Sequence, residues 1–274
     1  MTVSVVIPTR NRPAALARCL AAVGAQDPRP AEVVVVDDGS RDRPAVAKAV
    51  AGMPGARLLR LPGRGPAAAR NVGARAAVGK IVCFADDDCE PEPGWLGLVS
   101  EAAAEHGAAA GQTQAPDGAG PTVVASQAIT NHLLEASLDR DGVLGFAPTS
   151  NLAVARPLLT RFPFDERFPD AAGEDRDWSA RVAAAGSPPR YEPRAVVVHH
   201  QSLGTAAFLR QQFRYGRGAA RFRRAHPARA PERPGFYGAL VRHGFAHGTR
   251  AGALVLAAQA AVAAGVVTEA VRRR

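Results

Sequence analysis

Three consecutive aspartates, Asp86, Asp87 and Asp88, directly follow the apolar run at residues 80–85. Two carboxylates about 5 Å apart repel each other by roughly 3 kcal/mol at an effective dielectric constant near 20. Solvent, raised pKa values or a bound cation can offset this repulsion. An Asp-x-Asp pair suits a hard divalent cation, which prefers oxygen ligands and often shares them with substrate phosphates. A solvated acidic turn explains the same residues, so the triplet alone leaves both interpretations open.

Two other motifs with a comparable aspartate pattern fit this chain less well. An EF-hand calcium loop that began at Asp86 would need glycine at its sixth position and glutamate at its twelfth. This chain has Pro91 and Gly97 there. A phosphatase of the haloacid dehalogenase type also has Asp-x-Asp after a strand, but that pattern resembles this one only as far as Asp88. It then requires threonine or valine where this chain has Glu90.

Polar residues also follow two other apolar runs. Asp37 and Asp38 end the run "EVVVVDD", and Thr9 to Arg12 follow "VSVVIP". Ligands of open α/β sheets bind outside the carboxyl ends of the strands, so three such polar ends together indicate a binding site. The carboxylate of Asp38 could accept a hydrogen bond from a nucleobase or a ribose hydroxyl. It could equally serve a backbone turn, for which Asp and Gly are common choices.

The elements that must position these residues follow from the hydrophobic pattern. Strands are predicted at residues 3–7, 32–38, 56–61 and 80–85, and helices at 13–26, 43–52 and 65–79. Farther along, the pattern predicts helices at 126–138 and 171–186, a strand at 193–200 and a basic amphipathic helix from Leu203. Strands that alternate with helices are typical of βαβ units. The chain is therefore predicted to be an α/β protein with a mostly parallel central sheet flanked by helices.

The basic charge of the protein is concentrated near its C-terminus. The net charge of the 274 residues is +9, yet residues 201–274 contain 13 arginines against only Glu232 and Glu269. Such a region suits a solvated surface, an anionic membrane surface or a polyanionic partner. No nucleic-acid-binding motif is found, so no nucleic acid partner is expected. The uncharged stretch 251–268 is at the lower limit for a membrane span. We expect a packed or interfacial helix there.

The cysteines and the N-terminal residues bear on the cellular compartment. Cys19, Cys83 and Cys89 are odd in number and lack the spacing of a disulfide framework, which favours a reducing compartment. The chain begins with "MTVSVVIP", which is unlike a signal peptide. The expected location is the cytoplasm or the inner face of the membrane.

Six motifs in this order resemble those of the family 2 glycosyltransferases, which have the GT-A fold. They are "VSVVIPTRNRP", "VVVVDDGS", "GPAAARNVG", "FADDDCEPEPGWL", "TSNLAVAR" and "GEDRDW", and they cover roughly residues 3–200. The resemblance implies a GT-A-like sheet with a C-terminal helical extension. It also implies a nucleotide-diphosphate sugar donor (UDP-, GDP- or dTDP-sugar), a divalent metal (Mn²⁺ or Mg²⁺) and inversion at the anomeric carbon. The acceptor would be a saccharide or a lipid-linked molecule.

The resemblance also implies roles for individual residues. The nucleotide would contact Pro8, Thr9, Arg12, Asp38, Arg70 and Asp86, and the metal would be held by Asp86, Asp88 and His199. Asp175 would be the catalytic base, and Asn151, Glu174 and Trp178 would contact the sugar or the acceptor. Alternatives remain for three of these residues. His200 competes with His199 for the metal, Asp175 could cap a helix, and Trp178 could be a core residue.

The chemistry of inversion requires two separate acidic groups. An acceptor hydroxyl is a poor nucleophile at neutral pH and needs a carboxylate as general base. A cation elsewhere offsets the charge that grows on the departing diphosphate. We assign a catalytic domain to residues 1–202, with a nucleotide-binding half at about 1–100 and an acceptor half at about 101–202. Residues 203–274 form a basic helical extension. The alternative function is a non-catalytic protein that binds nucleotide sugars, or polyanions through this extension.

Overall fold

The computed structural model of the protein describes residues 1–229 and 232–272, which form an α/β structure around one mixed sheet. The strands are β1 (Val3–Thr9), β2 (Glu32–Asp37), β3 (Ala56–Arg60), β4 (Ile81–Ala85), β5 (Cys89–Pro91), β6 (Ala108–Gln114), β7 (Asn151–Ala155) and β8 (Arg190–His199). Their spatial order is β3-β2-β1-β4-β7-β6-β8-β5. Strands β3, β2, β1 and β4 are parallel, as are β6 and β8. Strand β7 is antiparallel to β4 and β6, and β5 is antiparallel to β8. The predicted mostly parallel sheet is confirmed.

Helices cover both faces of this sheet. They are α1 (Pro13–Gly24), α2 (Arg43–Ala51), α3 (Pro66–Ala76), α4 (Trp95–His106), α5 (Pro121–Ser137), α6 (Arg156–Arg161), α7 (Glu174–Ala184), α8 (Thr205–Ala225), α9 (Pro234–Ala246) and α10 (Thr249–Val271). The predicted helix at 126–138 begins earlier than expected, because Pro121 lies in its first turn, where proline is well accommodated. The predicted helix at 171–186 begins only at Glu174, because Gly173 has a φ of 94° and interrupts the backbone there.

Two apolar layers, one on each face of the sheet, explain the continuous valine runs of the sequence. Successive side chains of a strand point to opposite faces. In β1, Val5 and Ile7 pack in one layer with Trp95, while Val6 packs in the other layer with Phe84. All five side chains are completely buried. A strand that is covered on both faces needs apolar residues at every position, as is typical of parallel sheets.

The C-terminal helices α8, α9 and α10 pack against α5 and share a third apolar core with it. This core includes Ile129 of α5, Phe208 of α8, Leu240 of α9 and Val255 of α10. The predicted domain boundary at residue 202 falls between β8 and α8. Because α5 shares its core with the extension, the two parts are in close contact, and the division into domains stays a prediction.

Within the described residues, α10 is the one helix long and apolar enough to span a membrane by length and composition. Of its most apolar stretch, 28% is buried in the protein. Val255 and Ala258 lie in the core shared with α5, whereas Leu256 and Val267 are exposed. The helix therefore packs against the protein on one side and presents apolar side chains on the other.

A buried carboxylate, Glu269 of α10, anchors the C-terminal helices. Arg217, Arg221 and Arg224 of α8 lie between 2.9 and 3.1 Å from its oxygens. Arg221 also contacts Asp170, which precedes α7. Burial by itself would raise the pKa of Glu269, but the hydrogen bonds from Arg221 and Arg217 outweigh it and lower the pKa to about 2. Part of the basic charge of the extension is thus directed inward onto an acid.

We expect Glu269→Gln to destabilise the protein by about 2–4 kcal/mol, which a urea denaturation curve measures. Removing one partner of a buried ion pair typically costs about 3–5 kcal/mol, and part of this is recovered here because Arg224 is partly exposed. The matched control is Glu105→Gln on α4, where the side chain is 75% exposed. A loss for Glu269→Gln no larger than that of the control would contradict the anchoring role.

Candidate active site

A cleft beyond the carboxyl end of β4 brings two acidic clusters together. The first is the aspartate triplet at 86–88, and the second is the pair Glu174 and Asp175. Its lining comes from α3, α5, α7, α8, the end of β8 and the loops that precede β7 and α7. The predicted site residues that line it are Arg70, Asp86, Glu174, Asp175 and His199. Arg70 and His199, the first and last of these residues, are more than 120 positions apart in the sequence, so the fold brings the group together.

Arg70 of α3 connects the two acidic clusters. Its guanidinium donates hydrogen bonds to Oδ1 of Asp86 at 2.7 Å and to Oε1 of Glu174 at 3.0 Å. The side chain of Arg70 is only 4% exposed. Burial would lower the pKa of this guanidinium, but the nearby charges of Asp86 and Glu174 raise it instead. Arg70 therefore remains charged and sets the separation between the aspartate triplet and the first turn of α7.

Arg12 neutralises the other two aspartates of the triplet. Its guanidinium lies 2.5 Å from Oδ1 of Asp87 and 2.5 Å from Oδ2 of Asp88. The hydroxyl of Thr9 donates to the second oxygen of Asp87 at 2.6 Å. Burial is the main reason why the pKa of Asp87 is raised, to about 6. The repulsion within the triplet is thus offset by arginines of the chain and by the raised pKa of its middle residue.

Asp88 and His199 form a pair of donors that fits a divalent cation. Oδ1 of Asp88 is buried, lacks a well-directed hydrogen bond within the described residues, and lies 3.2 Å from Nε2 of His199. The thiol of Cys89 is also near, but burial raises its pKa, so it stays protonated and is a poor ligand. A carboxylate with an imidazole suits Mn²⁺ or Mg²⁺ together with substrate oxygens. His200 points instead to Glu90, at 3.3 Å, so the geometry favours His199.

The second acidic cluster lies in the first turn of α7. Gly173, which precedes it, has a φ of 94°, and a Cβ atom there would lie 3.2 Å from the carbonyl of Gly218, so glycine is required. Oδ1 of Asp175 accepts a hydrogen bond from the backbone N–H of Arg176. Oε2 of Glu174 is buried and has no hydrogen-bond partner in the described part of the chain. Burial raises the pKa of both carboxyls, that of Glu174 to about 7.

Other predicted nucleotide contacts lie at the strand ends beside the cleft rather than in its lining. Pro8 is half-buried at the end of β1, where it pairs with Val36 of β2. The carboxylate of Asp38 accepts hydrogen bonds from the backbone N–H groups of Arg64 and Gly65, at 2.7 and 2.8 Å. In this conformation Asp38 therefore holds the loop that leads into α3.

Two predicted sugar contacts do not reach the cleft. Asn151 is completely buried, its amide donates to the carbonyls of Gln112 and Ala195, and its carbonyl accepts from the Trp95 indole. Trp178 is also completely buried, and its indole donates to the Phe162 carbonyl. Asn151 thus joins neighbouring strands and Trp178 is a core residue, and the role of both as sugar contacts stays a prediction.

The cleft also contains residues that the sequence analysis did not identify. Thr149 and Ser150 line it immediately before β7, and Tyr215 reaches it from α8. Burial raises the pKa of Tyr215, and the charges of Asp175 and Glu174 raise it further, so the phenol stays protonated. Tyr215 lies in an arginine-rich helix whose pattern indicates only an amphipathic surface, so no local signal marks it.

Comparison with curated proteins identifies two relatives. The pre-mycofactocin glycosyltransferase of Mycobacterium tuberculosis is 30% identical over 237 residues, which is 82% of this chain and 48% of that protein. Glycosyltransferase AglE of Haloferax volcanii is 30% identical over 229 residues, which is 79% of this chain and 72% of that protein. The chain thus spans about half the length of the first relative and most of the second.

Comparisons with solved structures and with family profiles also find glycosyltransferases. The mannosyltransferase PcManGT of Pyrobaculum calidifontis, solved with GDP-Man and Mn²⁺, superposes with a TM-score of 0.62 at 23% identity. The match covers 97% of this chain and 75% of that one, and it shows that both have the GT-A fold. The profile of glycosyl transferase family 2 matches residues 4–155, more than half of the chain. The chain therefore belongs to glycosyl transferase family 2.

Proposed function

We propose that the protein transfers a sugar from a nucleotide diphosphate to an acceptor hydroxyl, with inversion at the anomeric carbon and with the help of a divalent cation. The observation that carries the proposal is the Arg70 bridge, which holds Asp86 and Glu174 on the walls of one cleft. An inverting transfer needs one acidic group for the cation and another for the proton, on opposite sides of the reacting carbon. The two clusters provide these groups.

On the donor side, Asp88 and His199 would hold the cation, with Asp86 beside them. A divalent cation in this position would supply Lewis acidity for the departing diphosphate. Arg12, whose side chain is 50% exposed, would contact the phosphates or the ribose, since a guanidinium binds phosphate oxygens well. The ends of β1 and β2 with Thr9 and Asp38 would border the base, whether uracil, guanine or thymine.

On the acceptor side, Asp175 would act as the general base. It takes the proton of the acceptor hydroxyl while the new bond to the anomeric carbon forms and the bond to the diphosphate breaks. Glu174 is less suited, because it is buried and ion-paired with the Arg70 guanidinium, whereas Asp175 is partly exposed. Burial raises the pKa of Asp175, which brings the strength of this base closer to neutral pH. Thr149, Ser150 and Tyr215 would position the acceptor or the sugar.

The acceptor would be a saccharide or a lipid-linked molecule at the cytoplasmic face of a membrane. Support comes from the exposed apolar side chains of α10, including Leu256 and Val267, and from the arginines of the extension. An apolar surface that is combined with basic residues suits the interface of an anionic membrane. This contact would be peripheral, since the other side of α10 packs on the protein.

We expect Asp175→Asn to lower turnover by about 10²–10⁴-fold, the usual contribution of a general base, while the affinity for the nucleotide changes little. Turnover is measured with a radiolabelled donor, and affinity by calorimetry. The control is Asp117→Asn in an exposed loop, which should leave both unchanged. Unaltered turnover in Asp175→Asn would indicate another base, and a wild type that binds the nucleotide without any turnover would indicate a non-catalytic binding protein.

The pH dependence of turnover provides a separate test of the base. A base acts when deprotonated, and the pKa of Asp175 is raised, so turnover should fall with decreasing pH at a higher pH than an ordinary aspartate would give. Glu174→Gln keeps the oxygen that Arg70 binds and resembles the protonated form that Glu174 has below its own raised pKa of about 7. It should therefore leave the position of this fall unchanged. A fall that disappears or moves in Glu174→Gln would assign it to Glu174 and not to Asp175.

Nucleotide binding should depend on the cation. In calorimetric titrations with UDP, GDP and dTDP, we expect Mn²⁺ to raise the affinity for one nucleotide by at least about tenfold, equivalent to about 1.4 kcal/mol. Asp88→Asn and His199→Ala should abolish this gain, because each removes a ligand. His200→Ala is the matched control and should retain it. The cation site would be wrongly assigned if no nucleotide gained affinity from Mn²⁺ in the wild type.

A further inference from the structure

A group of donor side chains lies between α5 and α9, away from the aspartate triplet. It consists of His132 and Glu135 on α5 and His243 on α9, and one donor atom of each lies within 4.8 Å of the others. His132 and Glu135 are three positions apart, which places them on the same side of the helix. Two elements that are distant in the sequence thus present three donors to the same point.

The two imidazoles each have an unsatisfied nitrogen. Nε2 of His132 and Nε2 of His243 are buried and have no hydrogen-bond partner within residues 1–229 and 232–272. Leaving a buried polar atom without a partner costs about 1–3 kcal/mol. Stacking does not remove this cost: the His132 ring lies 4.9 Å from Phe236 and 5.7 Å from His243, and neither contact satisfies the nitrogens. A ligand that accepts the lone pairs of both nitrogens would remove this cost.

We propose that this group binds a zinc ion. Neutral imidazole together with a carboxylate is a typical donor set for Zn²⁺. Burial lowers the pKa of His132, although a hydrogen bond with the Phe236 backbone acts in the opposite direction, so the ring is in the neutral form that metal binding requires. The ring of the exposed His247 lies 4.9 Å from that of His243 and offers a fourth donor.

The separations are compatible with closure around an ion. Ligand atoms of a tetrahedral Zn²⁺ site, each about 2.0–2.1 Å from the metal, lie about 3.3 Å apart. The present separations of up to 4.8 Å must therefore shorten. Glu135 and His247 are exposed, and closure requires their side chains to turn toward the two half-buried histidines.

An ion in this position would link α9 to α5, and α5 contributes Thr130 and Leu133 to the lining of the cleft. The site is thus structural: it would hold the C-terminal helices on the wall of the cleft. It is separate from the Asp88–His199 pair, which takes part in none of these contacts.

The test is zinc binding to the full chain after treatment with a chelator, measured by competition with a chromophoric chelator. His132→Ala and His243→Ala should each weaken this binding by at least about 100-fold, since losing only an outer-shell partner already costs about 10–100-fold. Glu135→Gln, an exposed substitution that should not disturb folding, should also weaken it. His106→Ala, at an exposed histidine on α4, is the matched control and should bind zinc as the wild type does.

A second measurement distinguishes this site from the Asp88–His199 pair. Co²⁺ should give the visible absorption of a four-coordinate ion, which is retained in His199→Ala and lost in His132→Ala. Zn²⁺ should also raise the melting temperature of the wild type and not that of His243→Ala. The proposal is overturned if zinc affinity and the Co²⁺ spectrum are unchanged in His132→Ala and Glu135→Gln, or if only His199→Ala removes them.

Discussion

The arrangement of the cleft depends on one buried guanidinium. Arg70 is held between Asp86 and Glu174, and the free energy of burying Arg70 and Glu174 is offset only when the three groups remain together. This condition fixes α3, the end of β4 and the start of α7 relative to one another. The distance between the aspartate triplet and the first turn of α7 is thus determined by the guanidinium of Arg70.

Charge compensation also explains why the aspartate triplet can be buried. Arg12 and Arg70 together contact all three carboxylates, and the middle one has a raised pKa. The triplet is therefore stable in the fold without an ion, because arginines and a raised pKa offset the repulsion between its carboxylates. One oxygen of Asp88, next to His199, stays available for a ligand. The protein's own cations and the proposed metal ion would thus have separate positions at the same strand end.

The C-terminal extension is part of the site rather than an attachment to it. Tyr215 of α8 lines the cleft, and α8 is held by the ion pairs of its arginines with Glu269 of α10. Arg221 connects this cluster to Asp170, a few residues before the catalytic candidates of α7. Part of the basic charge of this region therefore holds the helices together through ion pairs, and the rest lies on the surface. If zinc links α9 to α5, it adds to the same attachment.

The sequence by itself determined the strands and helices from β1 to β4, the acidic strand ends and the family, because hydrophobic period and short motifs are local properties. It also identified Asp86, Asp88 and Asp175 as candidates. Tertiary structure alone decided that Arg70 meets Glu174 across 104 positions, that His199 rather than His200 faces Asp88, and that Asn151 and Trp178 are buried. It also placed Tyr215 in the cleft. The physical reason is that partners of buried charges are selected by packing between distant elements, which no local pattern records.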